Sequence, residues 1–315
     1  MKISAEVGGA AFATDDPRLG SCLALVSRHW RAVSQAMPPS GLAARLEPAG
    51  SSWPHAPAGE TPGGGLIASF MHQGLPAFRA GGGAYCLVAA RDRALFYAPR
   101  ELPLSALTDL VAAAVYEMAA PGGLLALHAA GLDPGRGGLL ILGPSGAGKS
   151  TLVYQALQAG GRYINDDIVF TRPAEGGWRA FGSGKVIKID PGLRKGDGLV
   201  ARPQAALDGK LHLAPAADGA QAHLGSLDVA GLVFLAGERA AKPGWRRLRQ
   251  AETLGRLLGQ SFLALDQAAA QVQLDMLHAL ARLPARELTL SPDLRDEPPA
   301  CRELLNALAQ DMERG

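Results

Sequence analysis

The chain has no C-x-x-C pair, no long run of lysine or arginine, and no uninterrupted apolar stretch long enough to span a bilayer. Each absence removes a class of function. Three cysteines, Cys22, Cys86 and Cys301, lie far apart and cannot all pair, which fits a reducing compartment. A formal net charge of only +2 creates no global field to recruit nucleic acid or an anionic membrane. Trp245-Arg246-Arg247 is too small a basic patch for nucleic-acid recognition. Met1-Lys2-Ile3-Ser4-Ala5-Glu6 opens without the apolar region of a signal segment. The expectation is a soluble, cytoplasmic protein with no nucleic-acid or membrane partner; a homo-oligomer is compatible with it. At 315 residues, 48% hydrophobic and 19% charged, the chain can bury an ample core in one large or two unequal domains.

What the sequence does contain is one dense signal. Leu139-Leu140-Ile141-Leu142 is an apolar strand, Gly143-Pro144-Ser145-Gly146-Ala147-Gly148 a glycine-rich turn, and Lys149-Ser150-Thr151 the first turn of a helix. The spacing is G-x-x-x-x-G-K-[ST], the Walker A or P-loop pattern. Its glycines let backbone N–H groups wrap a phosphate, and the new helix aims its positive end at the same anion. Lys149 would reach the β- and γ-phosphates, and the Ser150 hydroxyl would hold Mg²⁺. The alternative is a glycine-rich turn that binds nothing. With every fixed position filled between a strand and a helix, nucleotide binding is favoured, with Gly143, Ser145, Gly146, Ala147, Gly148, Lys149, Ser150 and Thr151 around the phosphates and ATP and Mg²⁺ as the implied ligands.

Upstream, residues 1–102 read as a small, irregular α+β domain. A helix is expected over 18–37, ended by Pro38-Pro39, then a loop over 47–65. The apolar runs 84–90 and 94–97 suggest a hairpin around Arg91-Asp92-Arg93. His29, His55 and His72 are isolated and suggest no site. A helix from an N-cap at Ser105 to the glycines at 122 and 123 opens the second domain, 103–315.

The run 124–132 precedes a turn and the P-loop strand. If the two runs pair with Leu132 opposite Gly138, His128 falls opposite Leu142, beside the phosphate loop. A lone histidine in an apolar strand is either a satisfied core residue or, here, a functional neighbour of the phosphates. After the P-loop helix, Gly160-Gly161 leads into a strand over 162–170 carrying Asn165-Asp166-Asp167. A parallel strand brings its carboxyl end to the P-loop edge of an α/β sheet. The carboxylates would then flank Mg²⁺ and the γ-phosphate, unless they form only a solvated turn. Neighbours on a strand point to opposite faces, so one would hold metal and the other take a proton.

His128-Ala-Ala-Gly, then Gly143 to Ser150, then a short helix, then Asn165-Asp166-Asp167 resembles the catalytic domain of HPr kinase/phosphorylase and its HprK-like relatives, whose α/β fold is shared with phosphoenolpyruvate carboxykinase. The match covers about residues 124–190. It implies Asp166 as general base for a serine hydroxyl, Asp167 with Ser150 as metal ligands and His128 assisting the base, next to the catalytic Lys149 that the P-loop pattern sets on the phosphates. The family's P-V-x-P-G-R-N-like segment has no counterpart, since Ala236-Gly237-Glu238-Arg239 follows the strand 231–235; this argues against phosphorolysis and against HPr as acceptor. Some such relatives phosphorylate a serine of a lasso peptide precursor. The resemblance thus implies a kinase of a peptide or small protein, including a ribosomally made precursor. A small-molecule kinase and a non-catalytic nucleotide-binding regulator are the alternatives. Carboxykinase chemistry is disfavoured, because its extra metal ligands and carboxylate-binding arginine have no equivalents.

The remainder is less informative. Lys185, Lys188, Arg194 and Lys195 either approach the phosphates or form a solvated basic loop, and 191–223 is a candidate acceptor-binding lid. Helices are expected over 251–265, 267–283 and 299–312, with a strand over 287–290; Leu254, Leu257, Leu258 and Phe262 are assigned to the core.

Overall fold

The computed structural model describes residues 3–7, 10–14, 17, 21–22, 40–47, 67–80, 84–90, 93–97, 104–182, 187–190, 192, 199–201, 211–215, 224–295 and 297–314. Most of the helix expected over 18–37, most of the loop over 47–65, His29, His55, Lys185, Arg194 and Lys195 lie outside these residues. The chain is mixed α/β and divides into two compact units, Met1–Leu124 with Leu263–Leu274, and Leu125–Phe262 with Asp275–Gly315.

The first unit holds β1 (Ile3–Val7), β2 (Ala10–Thr14), β3 (Ser40–Glu47), β4 (Ile67–His72), β5 (Leu75–Ala80), β6 (Ala84–Ala90), β7 (Arg93–Tyr97) and helix α1 (Leu104–Ala119). They form one seven-stranded sheet in the order β1-β2-β3-β7-β6-β5-β4. Gln73 and Gly74, both at positive φ (50° and 77°), make the two-residue turn between β4 and β5. α1 presents Leu107, Leu110, Val111, Ala114 and Val115, a helical apolar stripe buried to 3% exposure or less, and packs on β5 and β6. The helix already includes Leu104, so Ser105 sits in its first turn and is not the N-cap that was expected. The boundary expected at 102/103 falls where the structure is not described, and α1 groups with the first unit.

The second unit is built on β8 (Leu125–Asp133), β9 (Gly138–Leu142), α2 (Lys149–Gln158), β10 (Arg162–Asn165), β11 (Ile168–Ala174) and β12 (Gly177–Gly182). A small sheet of β13 (Ile187–Ile189), β14 (Leu199–Ala201) and β15 (Leu211–Pro215) follows, in the order β13-β15-β14. Then come β16 (Ser226–Arg239), β17 (Gly244–Arg247), α3 (Gln250–Leu258), β18 (Ser261–Phe262), α4 (Gln267–Leu280), whose residues up to Leu274 group with the first unit, β19 (Ala285–Leu290) and α5 (Pro298–Glu313). The main sheet runs β10-β8-β11-β12-β16-β19-β17, and β9 pairs with both β8 and β16.

Alternation along β9 explains why this strand is central. Leu139 and Ile141 enter one core with α2 and α5, while Leu140 and Leu142 enter the opposite core with Val169, Phe234 and Leu277. All four are fully buried, as expected of a strand covered on both faces. Close packing beside it leaves no room at Gly131: a Cβ there would lie 2.3 Å from Ile164 Cγ1 and 2.5 Å from Cδ1, inside a fully buried side chain. Gly131→Ala is therefore expected to destabilise the fold by about 1–3 kcal/mol, read as a lower urea midpoint at unchanged slope.

Three expectations are corrected here. Leu132 pairs with Leu139 and Ala129 with Leu142, one residue from the expected register, because the turn closes with four residues between Asp133 and Gly138 and the Asp133 carboxylate accepts the Gly135 N–H. The strand expected over 162–170 is broken by a bend at Asp166-Asp167 into β10 and β11. The helix expected over 251–265 stops at Leu258, and Leu258 and Phe262 are exposed; of that set only Leu257 is fully buried.

Candidate functional site

The site begins with the edges of β8, one of which changes partner at His128 and the other just beyond it. On one edge β9 pairs with residues 129–132 and β18 with Ala126 and Leu127. Between them, the His128 N–H donates to the Gln260 carbonyl at 2.7 Å. On the other edge β10 pairs with residues 131–133 and β11 with residues 125–128, and the Ala129 N–H donates to the Asp167 carbonyl at 3.1 Å. β10 and β9 both run antiparallel to β8, so their carboxyl ends emerge at the same edge. Two chain departures therefore meet at one level: β9 leaves as the glycine-rich turn, and β10 leaves as the two aspartates.

The turn has the backbone its glycines permit. Gly143, Gly146 and Gly148 have φ of 147°, 80° and 104°, in a region side chains rarely adopt. Gly148 occupies the N-cap of α2, and no side chain caps that helix end, so its first N–H groups are not taken by a cap. The Lys149 side chain, 7% exposed, folds along the turn and donates from Nζ to the Gly143 carbonyl at 2.6 Å and the Pro144 carbonyl at 3.1 Å. β16 lies against the same turn: a Cβ on Gly143 would meet Leu235 at 3.2 Å, and one on Gly148 would come within 2.8 Å of Arg239 Nη2.

At the aspartate bend, the Asn165 side-chain amide donates to the Ile168 carbonyl and ties the two strand ends together. Asp166 is 4% exposed and its Oδ2 accepts the Lys188 N–H at 3.1 Å. The Asp167 side chain is 35% exposed, and its Oδ1 is 4.0 Å from His128 Nε2. The two carboxylates thus differ by burial, not by opposite faces of one strand as expected.

These groups surround one cavity of about 370 Å³. The turn and α2 contribute Ser145, Gly146, Gly148, Lys149, Ser150 and Thr151; β8 contributes His128; the bend contributes Asp166 and Asp167; β13 and its end contribute Lys188, Ile189 and Asp190. Gly143 and Ala147 do not line it; Ala147 is turned into the α2 core. Asp190 and Arg239 escaped recognition as site residues. Alternation of buried Ile187 and Ile189 with more exposed Lys188 and Asp190 was the available signal for the first. No sequence signal places Arg239 beside Gly148.

Burial and the nearby Lys149 ammonium push the His128 imidazole below its ordinary value, against the Asp167 carboxylate and the Gln260 side chain, which push it up. Since the folded-state value lies below the unfolded one, the unfolded chain binds the proton first as pH falls through about 6.5. Stability is then lost from that pH down to the folded value, while above it His128 adds no pH dependence. His128→Gln should flatten this part of a plot of melting temperature against pH.

Among the described residues there is no group of three or more His, Cys, Asp or Glu side chains that could hold a metal ion. A Ser150 hydroxyl and one carboxylate fit Mg²⁺ nonetheless, because this ion usually keeps waters and takes substrate phosphates beside one or two carboxylates. Among the described residues, no helix is long and apolar enough to cross a membrane.

No family model matches the chain. No curated protein matches it. Among solved structures, it is similar to the HPr(Ser) kinase/phosphatase from Coxiella burnetii, with 16% identity and a TM-score of 0.35, over 60% of this chain and 92% of that one.

Proposed function

We propose that the protein is a cytoplasmic, ATP-dependent kinase that transfers the γ-phosphoryl group to a serine-like hydroxyl of a peptide or small protein. The observation that carries this reading is the convergence of a glycine-rich turn, an uncapped helix start, Lys149, Ser150 and two aspartates on a single cavity. A turn serving only to connect β9 and α2 would need neither the buried lysine nor the carboxylates facing it.

In this reading the backbone N–H groups of residues 145–150 hold the β-phosphate, and Lys149 neutralises the charge that builds on the transferring group. Ser150 and Asp167 would hold Mg²⁺, which supplies further charge neutralisation and fixes the phosphate oxygens. Asp166 accepts the proton as the acceptor oxygen bonds to the γ-phosphorus and the bond to the ADP oxygen breaks. Burial and the Lys149 ammonium hold the His128 imidazole below its ordinary value, which favours the uncharged ring beside Asp167. Lys188 and Asp190 also line the cavity, and in this reading they would contact the acceptor.

The test is incubation with ATP, Mg²⁺ and the products of neighbouring genes, followed by mass spectrometry for a phosphorylated one. A phosphopeptide bearing phosphoserine or phosphothreonine is the expected result. Phosphorylation of a small molecule alone would reassign the acceptor, and nucleotide binding with no transfer to any acceptor would favour a regulator.

A further inference from the structure

We infer that Gln260 is a positioning residue for His128, fixing the imidazole as the Nδ1–H tautomer so that the Nε2 lone pair faces the aspartate bend. This rests on the kinase reading only for its catalytic consequence; the assignment of the tautomer stands on geometry.

Gln260 lies just ahead of β18, the two-residue strand that replaces β9 on the edge of β8. Its backbone is pinned there twice, accepting the His128 N–H at 2.7 Å and donating its own N–H to Leu257 at 3.0 Å. The side chain therefore leaves from a fixed point opposite His128 on the adjoining edge of β8. Its Oε1 is buried and, among the described residues, has no donor in full hydrogen-bond geometry. A buried carbonyl oxygen without a donor is costly, and burial of the amide beside an imidazole is explained if the ring supplies that donor. Nε2 is the nitrogen turned toward Asp167, at 4.0 Å from Oδ1; the donor inferred for Gln260 is therefore the other ring nitrogen, Nδ1. The hydrogen bond made by one ring nitrogen decides which nitrogen carries the proton. In water the neutral ring favours the other tautomer, so a partner is needed to hold this one.

The consequence concerns the neighbour. A lone pair on Nε2 can receive a hydrogen bond from a water or from the acceptor hydroxyl next to the bend, whereas an Nε2–H would bond to Asp167 and occupy the carboxylate assigned to the metal. Gln260 thereby keeps the histidine from blocking Asp167.

The experiment uses the full chain at pH 8 with ¹⁵N-labelled histidine, the His128 signals being identified by their loss in His128→Gln. Long-range ¹H–¹⁵N spectra should show the Nδ1–H tautomer in the wild type and in Gln260→Glu, which keeps an acceptor oxygen. Gln260→Met, of similar length but without an acceptor, should shift the ring to Nε2–H. Where an acceptor has been found, Gln260→Met should lower kcat on the order of tenfold with KM for ATP within about twofold, and Gln260→Glu should restore it. An Nε2–H ring in the wild type, or a ring spectrum unchanged in Gln260→Met, overturns the inference. The spectra need no activity, so a wild-type Nδ1–H ring in a protein that phosphorylates nothing would remove the kinase reading and leave the positioning role standing.

Discussion

Lys149→Ala is expected to abolish the thermal stabilisation that ATP with Mg²⁺ gives the wild type. Binding to the native state alone adds RT ln(1 + [L]/Kd), about 2.7 kcal/mol at a hundredfold excess over Kd. That increment is read by comparing melting curves with and without nucleotide. The comparison matters because Lys149 is buried and bonded to the Gly143 and Pro144 carbonyls, so its loss also loosens the turn and lowers the melting temperature of the nucleotide-free protein. Lys149→Met keeps most of the volume and separates the two effects: the nucleotide-free fold should largely recover, while the ATP-induced increment should not. Phosphoryl transfer should fall on the order of 10²–10³-fold or more, the usual consequence of removing one charge-stabilising donor from a preorganised site. An ATP-induced shift of wild-type size in Lys149→Ala would mean that the nucleotide binds elsewhere.

Asp166→Asn should give the complementary result, with the ATP-induced shift retained and transfer reduced on the order of 10²–10⁴-fold. The amide is nearly isosteric, and its oxygen can still accept the Lys188 N–H now received by Oδ2, so the bend should keep its shape. What it cannot do is take a proton from the acceptor hydroxyl. The expected signature is therefore a fall in kcat at unchanged KM for ATP, the pattern of an interaction made only in the transition state. Loss of the ATP-induced shift together with transfer would instead move Asp166 to the metal-binding role assigned to Asp167. Retention of transfer would eliminate it as the base.

The parts of this protein legible before any coordinates were those specified by short-range chemistry. The G-x-x-x-x-G-K-[ST] spacing announced a strand, a turn with positive φ and a helix, because only glycine adopts those angles at little cost. The apolar runs at 124–132 and 139–142 announced strands on either side of a turn, and the segment between Ser105 and the glycines at 122 and 123 announced a helix. The break at Asp166-Asp167 was not legible, because an apolar strand continues on both sides of it and the bend is held by Asn165 reaching over to Ile168. The early stop of α3 was hidden in the same way: Leu258 and Phe262 continue a helical spacing, yet both are exposed once the chain turns into β18.

The sequence alone determined that an anion-holding turn precedes a helix and that two carboxylates follow a short distance later, since these depend on neighbours along the chain. Only the tertiary structure decided that they face one cavity, which of the two aspartates is shielded, and that Gln260 and Arg239 adjoin the histidine and the turn. Those are consequences of strand order, in which β8 exchanges partners on both edges within a few residues of His128. Pairing between segments far apart in sequence is selected by how whole faces bury one another, and no local pattern encodes it.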